Sequence, residues 1–208
     1  MASAGVPIVY IIDDDAGIRA SIQGLLKSAG LHSIGFETAE QFWQEEATDG
    51  PSCLILDVSL PGISGPDFQQ QLRSAARPIP IIFITGHGDI PMSVKAIKSG
   101  ALEFLTKPFG DQDLLNAVEQ ALARDSIRRR EHAGIAALVK RYADLTHREK
   151  EVMEFVVSGM LNKQIAAELG VSEITIKVHR GRVMHKMQAS SHAELVLMRE
   201  KLRQVTAE

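Results

Sequence analysis

Residues 8–15 read Ile8-Val9-Tyr10-Ile11-Ile12-Asp13-Asp14-Asp15. An apolar run without polar interruption fits a strand buried on both faces, and the carboxylates that follow it mark a turn open to solvent. The pattern returns at 33–36 (SIGF), at 53–56 (CLIL) followed by Asp57, at 79–84 (IPIIFI) followed by Thr85, and at 102–105 (LEFL) ahead of Lys107. Between these runs lie segments with helical spacing, including Ile18/Ile22/Leu25/Leu26, Phe68/Leu72 and Val94/Ile97/Lys98. A fifth helix, from Asp111 to about Arg124, turns Leu114, Leu115, Val118 and Leu122 inward. Strands alternating with helices predict an α/β doubly wound fold around a five-stranded parallel sheet.

The chain has 208 residues, 45% hydrophobic and 24% charged, proportions that suit two small domains with compact cores. The single cysteine, Cys53, lies inside an apolar run and reads as a small buried hydrophobe rather than a reactive thiol. No apolar run approaches the roughly 20 residues that span a bilayer, and the N-terminus lacks the basic flank and apolar core of a signal peptide. The expected setting is the reducing cytoplasm, with no membrane partner. The net charge of −3 hides an asymmetry: residues 1–123 hold 15 Asp+Glu against 7 Lys+Arg, and residues 124–208 hold 11 against 16. An acidic site is expected in the first part and a polyanion partner for the second.

In a doubly wound sheet of order 2-1-3-4-5, strands 1 and 3 are neighbours, and their carboxyl ends flank the crevice where such folds bind ligands. Asp13, Asp14 and Asp57 therefore converge. Crowded carboxylates repel unless a cation neutralises them, and a few carboxylates with water suit octahedral Mg²⁺. Thr85 and Lys107 lie at the same edge. A metal, an ammonium and a hydroxyl around one carboxylate equip a site for phosphoryl transfer, with Asp57 as the nucleophile. Asp15 reads as a helix-start acid and Trp43 as a packing residue.

These motifs, with Pro61-Gly62 and Gly65 after Asp57, Thr85-Gly86-His87-Gly88-Asp89 and Lys107-Pro108-Phe109, resemble the receiver domain of two-component response regulators over residues 6–123. The resemblance implies the flavodoxin/CheY-like fold and phosphorylation of Asp57 by a partner sensor histidine kinase. It implies Mg²⁺ on Asp14 and Asp57, Asp13 acting through water, and the main-chain carbonyl of Ser59 as a further ligand. Thr85 and Lys107 would contact the phosphoryl group, with Phe104 as a switch residue whose movement promotes a homodimer. His87 would sit at the pocket rim. Lys107 is expected to precede a cis bond to Pro108, because that turn must aim the ammonium into the pocket.

Residues 124–142 carry Arg128-Arg129-Arg130 and then Ile135, Leu138, Val139 and Tyr142 at helical spacing, and read as a charged, mostly helical linker that can break near Gly134. Residues 143–208 are helical throughout. Thr146 and Glu149 form a capping box, Asn162 caps the next helix, Gly170 ends it, and Ser172 caps a third that runs to about Met187. A fourth runs from about His192 to Arg203. Helix, glycine turn and helix predict an all-α four-helix domain with a helix-turn-helix. Ile165, Ala166 and Leu169 pack on its first helix. Ile174, Ile176, Val183 and Met187 are packing candidates on its second, although Ile174 and Ile176 cannot share one face.

Residues 145–152, 162–166 and 171–179 resemble the LuxR-type DNA-binding domain, and with the 85–92 stretch the whole chain resembles the FixJ-type branch of the NarL/FixJ regulators. That resemblance implies sequence-specific binding of double-stranded DNA and control of transcription through RNA polymerase. Lys177, Val178 and His179 would sit at the groove and Lys163, Thr175 and Arg180 near phosphate. Gly181 stands where relatives can carry another cation, for which Arg180 or Arg182 would compensate. Such a chain is a phosphoacceptor with slow self-dephosphorylation rather than an enzyme. A Mg²⁺-dependent phosphatase acting through Asp57, and a receiver that only dimerises, share parts of this pattern. Neither explains both halves of the chain.

Overall fold

The computed structural model describes residues 5–46, 48–86 and 100–206, and the chain divides into two compact units, 1–129 and 130–208. In the first unit, β1 (Ile8–Ile12), β2 (His32–Phe36), β3 (Ser52–Asp57), β4 (Ile81–Thr85) and β5 (Glu103–Thr106) form one sheet of order β2-β1-β3-β4-β5. All its pairings are parallel. Ile12 pairs with Leu56, Asp57 with Ile84 and Thr85 with Thr106, so the carboxyl ends of β1, β3, β4 and β5 open on one edge.

The uninterrupted apolar runs are explained by burial on both faces. Tyr10, Ile12, Leu54, Leu56 and Phe83 join one core with Phe42, Phe68 and Leu72. Their strand neighbours Val9, Ile11, Cys53, Ile55, Ile82 and Ile84 join the other with Ile22, Leu26, Leu114 and Val118. Cys53 is fully buried, which pushes its thiol pKa far up and leaves it unreactive. Trp43 packs edge-on against Phe68.

The helices of this unit are α1 (Ala16–Ser28), α2 (Ala39–Trp43) and α3 (Gly65–Ser74), with α4 (Asp111–Ala143) continuing into the second unit. Asp15 caps α1, accepting from the N–H groups of Gly17 and Ile18, so its role as a helix-start acid holds. The helix read from Val94, Ile97 and Lys98 lies outside the described residues. The expected helix end near Arg124 and break near Gly134 do not occur, because α4 is a single helix of 33 residues. Just past the expected end, buried Asp125 takes hydrogen bonds from Arg128, Arg129 and the Ser52 N–H. The arginine run that reads as a boundary instead ties the helix down.

The second unit holds α5 (His147–Val157), α6 (Asn162–Leu169), α7 (Glu173–Met187) and α8 (His192–Thr206) around Val152, Met153, Val156, Ile165, Ile176, Val183, Met187, Leu195 and Leu202. Leu138 and Tyr142 from the end of α4 belong to the same core. The capping box of Thr146 and Glu149 is present, Gly170 closes α6 at φ 63°, and Ser172 caps α7. Asn162 does not cap α6. The cap position is Leu161, whose N–H donates to the side chain of Gln164, while the Asn162 side chain accepts from Arg180. Ile174 does not pack either: it is 78% exposed, whereas Ile176, Val183 and Met187 are fully buried. Among the described residues no helix is long and apolar enough to cross a membrane.

Candidate functional site

The strand ends deliver the acidic pocket. Asp13 follows β1, Asp57 ends β3, and Asp14 stands exposed beside them; carboxylate oxygens of the three lie within 4.8 Å of one another. Lys107, after β5, donates from Nζ to Asp13 Oδ2 and to Asp57 Oδ2, each at 2.7 Å. The Lys107–Pro108 bond is cis, as expected. The Lys107 N–H donates to the Thr85 carbonyl at 2.7 Å, which joins the turn to the end of β4.

Local hydrogen bonds fix the orientation of the acids. Asp13 is fully buried, and its Oδ1 accepts from the Asp15 N–H at 2.9 Å. The Asp57 Oδ1 accepts from the N–H of Ser59 at 3.0 Å. Burial drives the Asp13 pKa up against the opposing pull of Lys107. Burial also works against the Lys107 ammonium, but Asp13 and Asp57 outweigh it and its pKa is raised. Three carboxylates and one ammonium leave a formal charge of −2 around a set of oxygen donors partly open to water. A hard divalent cation fits that charge and donor chemistry.

Thr85 is buried at the β4 end. Phe104 on β5 is half-buried and packs against Phe83, with ring centroids 6.4 Å apart. Ser59 is exposed in the loop after Asp57. His87 lies outside the described residues. Sequence reasoning missed Arg19, which donates to the Asp13 carbonyl at 2.6 Å. It reaches a main-chain atom from the first turn of α1, a contact that leaves no mark in residue type or spacing.

In the second unit α6, the Gly170 turn and α7 form the helix-turn-helix. Lys163, Lys177, Val178 and Arg182 are exposed. Thr175 is half-buried and its hydroxyl meets that of Ser172 at 2.8 Å. Arg180 is half-buried beside Asn162. His179 is also half-buried, with its Nδ1 enclosed and unpartnered among the described residues, whereas Lys177 is exposed. Lys186 is committed to Glu149 at 2.6 Å and serves the fold.

Comparison with known proteins accounts for both units. Residues 9–119 match the response regulator receiver domain and residues 143–199 the luxR family of bacterial regulatory proteins. The chain is 50% identical over 195 residues to Nodulation protein W of Bradyrhizobium diazoefficiens, covering 94% of this chain and 86% of that protein. It is 40% identical over 190 residues to the transcriptional regulatory protein FixJ of Azorhizobium caulinodans, covering 91% of this chain and 90% of that one. The solved structure of the response regulator StyR superposes with a TM-score of 0.86 at 44% identity, over 94% of this chain and 99% of that one. With its acidic five-stranded receiver and its helix-turn-helix, the chain belongs to the NarL/FixJ family of response regulators and joins a receiver domain to a LuxR-type DNA-binding domain.

Proposed function

We propose that Asp57 accepts a phosphoryl group from a partner sensor histidine kinase and that the phosphorylated chain dimerises and binds its operator to regulate transcription. The observation that carries this reading is the Lys107 ammonium seated between Asp13 and Asp57 at 2.7 Å from each, beside exposed Asp14. An Asp57 oxygen forms the new bond to phosphorus as the bond to the donor's imidazole nitrogen breaks, and the imidazole leaves with a solvent proton. The Ser59 N–H orients the nucleophile, and Lys107 is close enough to Asp57 to neutralise the equatorial oxygens. Mg²⁺, held by Asp14, Asp57 and the Ser59 carbonyl with Asp13 acting through water, would supply further charge neutralisation.

Thr85, at the end of β4, would follow the phosphoryl group inward, and Phe104 on the neighbouring strand would move with it and change the β5 surface. The chain would act in the cytoplasm as a phosphoacceptor that slowly loses its own phosphate, not as a turnover enzyme. Its dimer would present two helix-turn-helix units to a two-fold operator and to RNA polymerase. Acetyl phosphate with Mg²⁺ should add one phosphoryl mass to the intact protein and shift it to a dimer on gel filtration. Asp57→Asn should abolish both changes. A persisting mass gain in that variant moves the acceptor elsewhere, and a phosphorylated protein that stays monomeric while occupying its operator removes the dimer mechanism.

A further inference from the structure

Ile176, Val183 and Met187 are fully buried and fix the inward direction of α7. At about 100° per residue, Ile174 and Val178 each lie within about 20° of the opposite direction. They are 78% and 49% exposed. One helical turn apart, their side chains adjoin on the leading half of the helix. Exposed Lys177 and Arg182 border them on either side. The next turn of the same face is Gly181, where an added Cβ would meet nothing within 4 Å. The outermost edge of the recognition helix is thus a short apolar step framed by cations.

The cations select the occupant. Lys163, Lys177 and Arg182 are all exposed in a segment that holds 16 Lys+Arg against 11 Asp+Glu over residues 124–208, which fits a polyanion rather than an apolar protein groove. In the major groove the base edges are donors and acceptors, with one exception, the C5-methyl group of thymine. Isoleucine and valine have no polar atom in their side chains, so against guanine, cytosine or adenine edges they would dehydrate groups they cannot pair. Against thymine they bury a methyl group instead.

We propose that Ile174 is a further specificity-determining residue, which reads thymine through its C5-methyl group beside Val178, the position that the family resemblance already places at the groove. The proposal rests on the reading of this unit as a binder of double-stranded DNA. Lys177 and Arg182 hold the backbone and polar edges around the step, and Gly181 lets the helix approach the bases below it. Specificity then comes from two apolar contacts as well as from hydrogen bonds.

The test uses the full-length protein treated with acetyl phosphate and Mg²⁺ and a random duplex library. Enriched duplexes are resynthesised with deoxyuridine in place of thymidine, one position at a time, which removes only the methyl group. Binding should weaken about three- to five-fold for each contacted methyl lost. Ile174→Ala and Val178→Ala should bind the thymine duplex less tightly and each lose the thymine-to-uracil difference at its own position. Both side chains are exposed, so circular dichroism should show the variants folded. Equal affinity of the wild-type protein for thymine and uracil duplexes, or an undiminished difference in Ile174→Ala, overturns methyl reading by Ile174 while leaving DNA binding intact. Failure to enrich or bind any duplex at low salt overturns the DNA-binding reading itself, and this proposal with it.

Discussion

Gly65 shows how closely the phosphoacceptor loop is constrained. Its N–H donates to the Val58 carbonyl at 2.9 Å, and a Cβ there would lie 2.7 Å from the Asp57 carbonyl oxygen and 2.9 Å from the Phe83 ring. One neighbour is backbone and the other a buried core side chain, so neither can move aside cheaply. Gly65→Ala should destabilise the receiver by about 1–3 kcal/mol through overpacking. It should also slow phosphoryl uptake from acetyl phosphate; denaturant titration and a time course of intact mass measure the two effects. Glu149 makes a comparable commitment in the other unit. Burial pushes its pKa up, but the Lys186 ammonium and the bonds from Thr146 outweigh that and leave it lowered. A lowered folded pKa means stability that is fully present above the ordinary glutamate range and is lost as pH falls through the folded value. Glu149→Gln should therefore cost about 1.5–3 kcal/mol near neutral pH, with the gap to wild type closing in acid. Thermal unfolding across a pH series shows whether it closes.

At the scale of elements, α4 depends on one buried acid. Asp125 is fully buried and receives the Ser52 N–H at 2.9 Å together with Arg128 and Arg129, while Arg129 also donates to the Thr48 carbonyl at 2.8 Å. Asp125→Ala removes the shared acceptor of two guanidinium groups and leaves the Ser52 N–H without its partner, which should cost about 3 kcal/mol. It should also raise amide exchange along the helix beyond residue 124, measurable by mass spectrometry. This element divides what the sequence disclosed from what it concealed. The central strands were legible because burial on both faces leaves runs such as 53–56 with no polar residue, whereas the order 2-1-3-4-5 is what the receiver resemblance implies, since strands alternating with helices also fit other doubly wound orders. The acids and Lys107 were legible because the strand ends place them. Helix α2 was not, since its five residues are too few to show a period. The continuation of α4 was concealed because Arg128-Arg129-Arg130 looks like a solvated run until Asp125, three and four residues back, is seen buried beneath it. A cost of ~1 kcal/mol at Gly134 does not break a helix whose neighbours on both sides are held by packing. Ile174 and Ile176 carry the same side chain two positions apart, and only the core position of α7 tells which of them is wet.

At the scale of the whole molecule, charge and core boundaries make different demands on where the chain is cut. The acidic 1–123 segment, with 15 Asp+Glu against 7 Lys+Arg, opposes a polyanion, whereas 124–208 attracts one. An isolated DNA-binding fragment should consequently bind at least as well as the unphosphorylated whole chain. A cut at Ala143, where the sequence pattern of the domain begins, removes Leu138 and Tyr142 from the core they share with Val152, Met153 and Leu195. Leu138 is only 6% exposed, and losing its burial should cost about 1.5–3 kcal/mol. The fragment 130–208 should therefore melt well above 143–208 while the two show the same salt dependence, because the exposed cations of α6 and α7 are common to both. Replacing Lys163 by Ala in either fragment should weaken specific and nonspecific binding together and reduce the slope of log affinity against log salt by about one unit. Replacing Lys177 should instead narrow the gap between operator and random DNA by about 1–3 kcal/mol. Titrations over a salt series separate these outcomes: a slope that falls with Lys177 but not with Lys163 would exchange the two roles, and a folded 130–208 fragment that binds no DNA at low salt would remove them both.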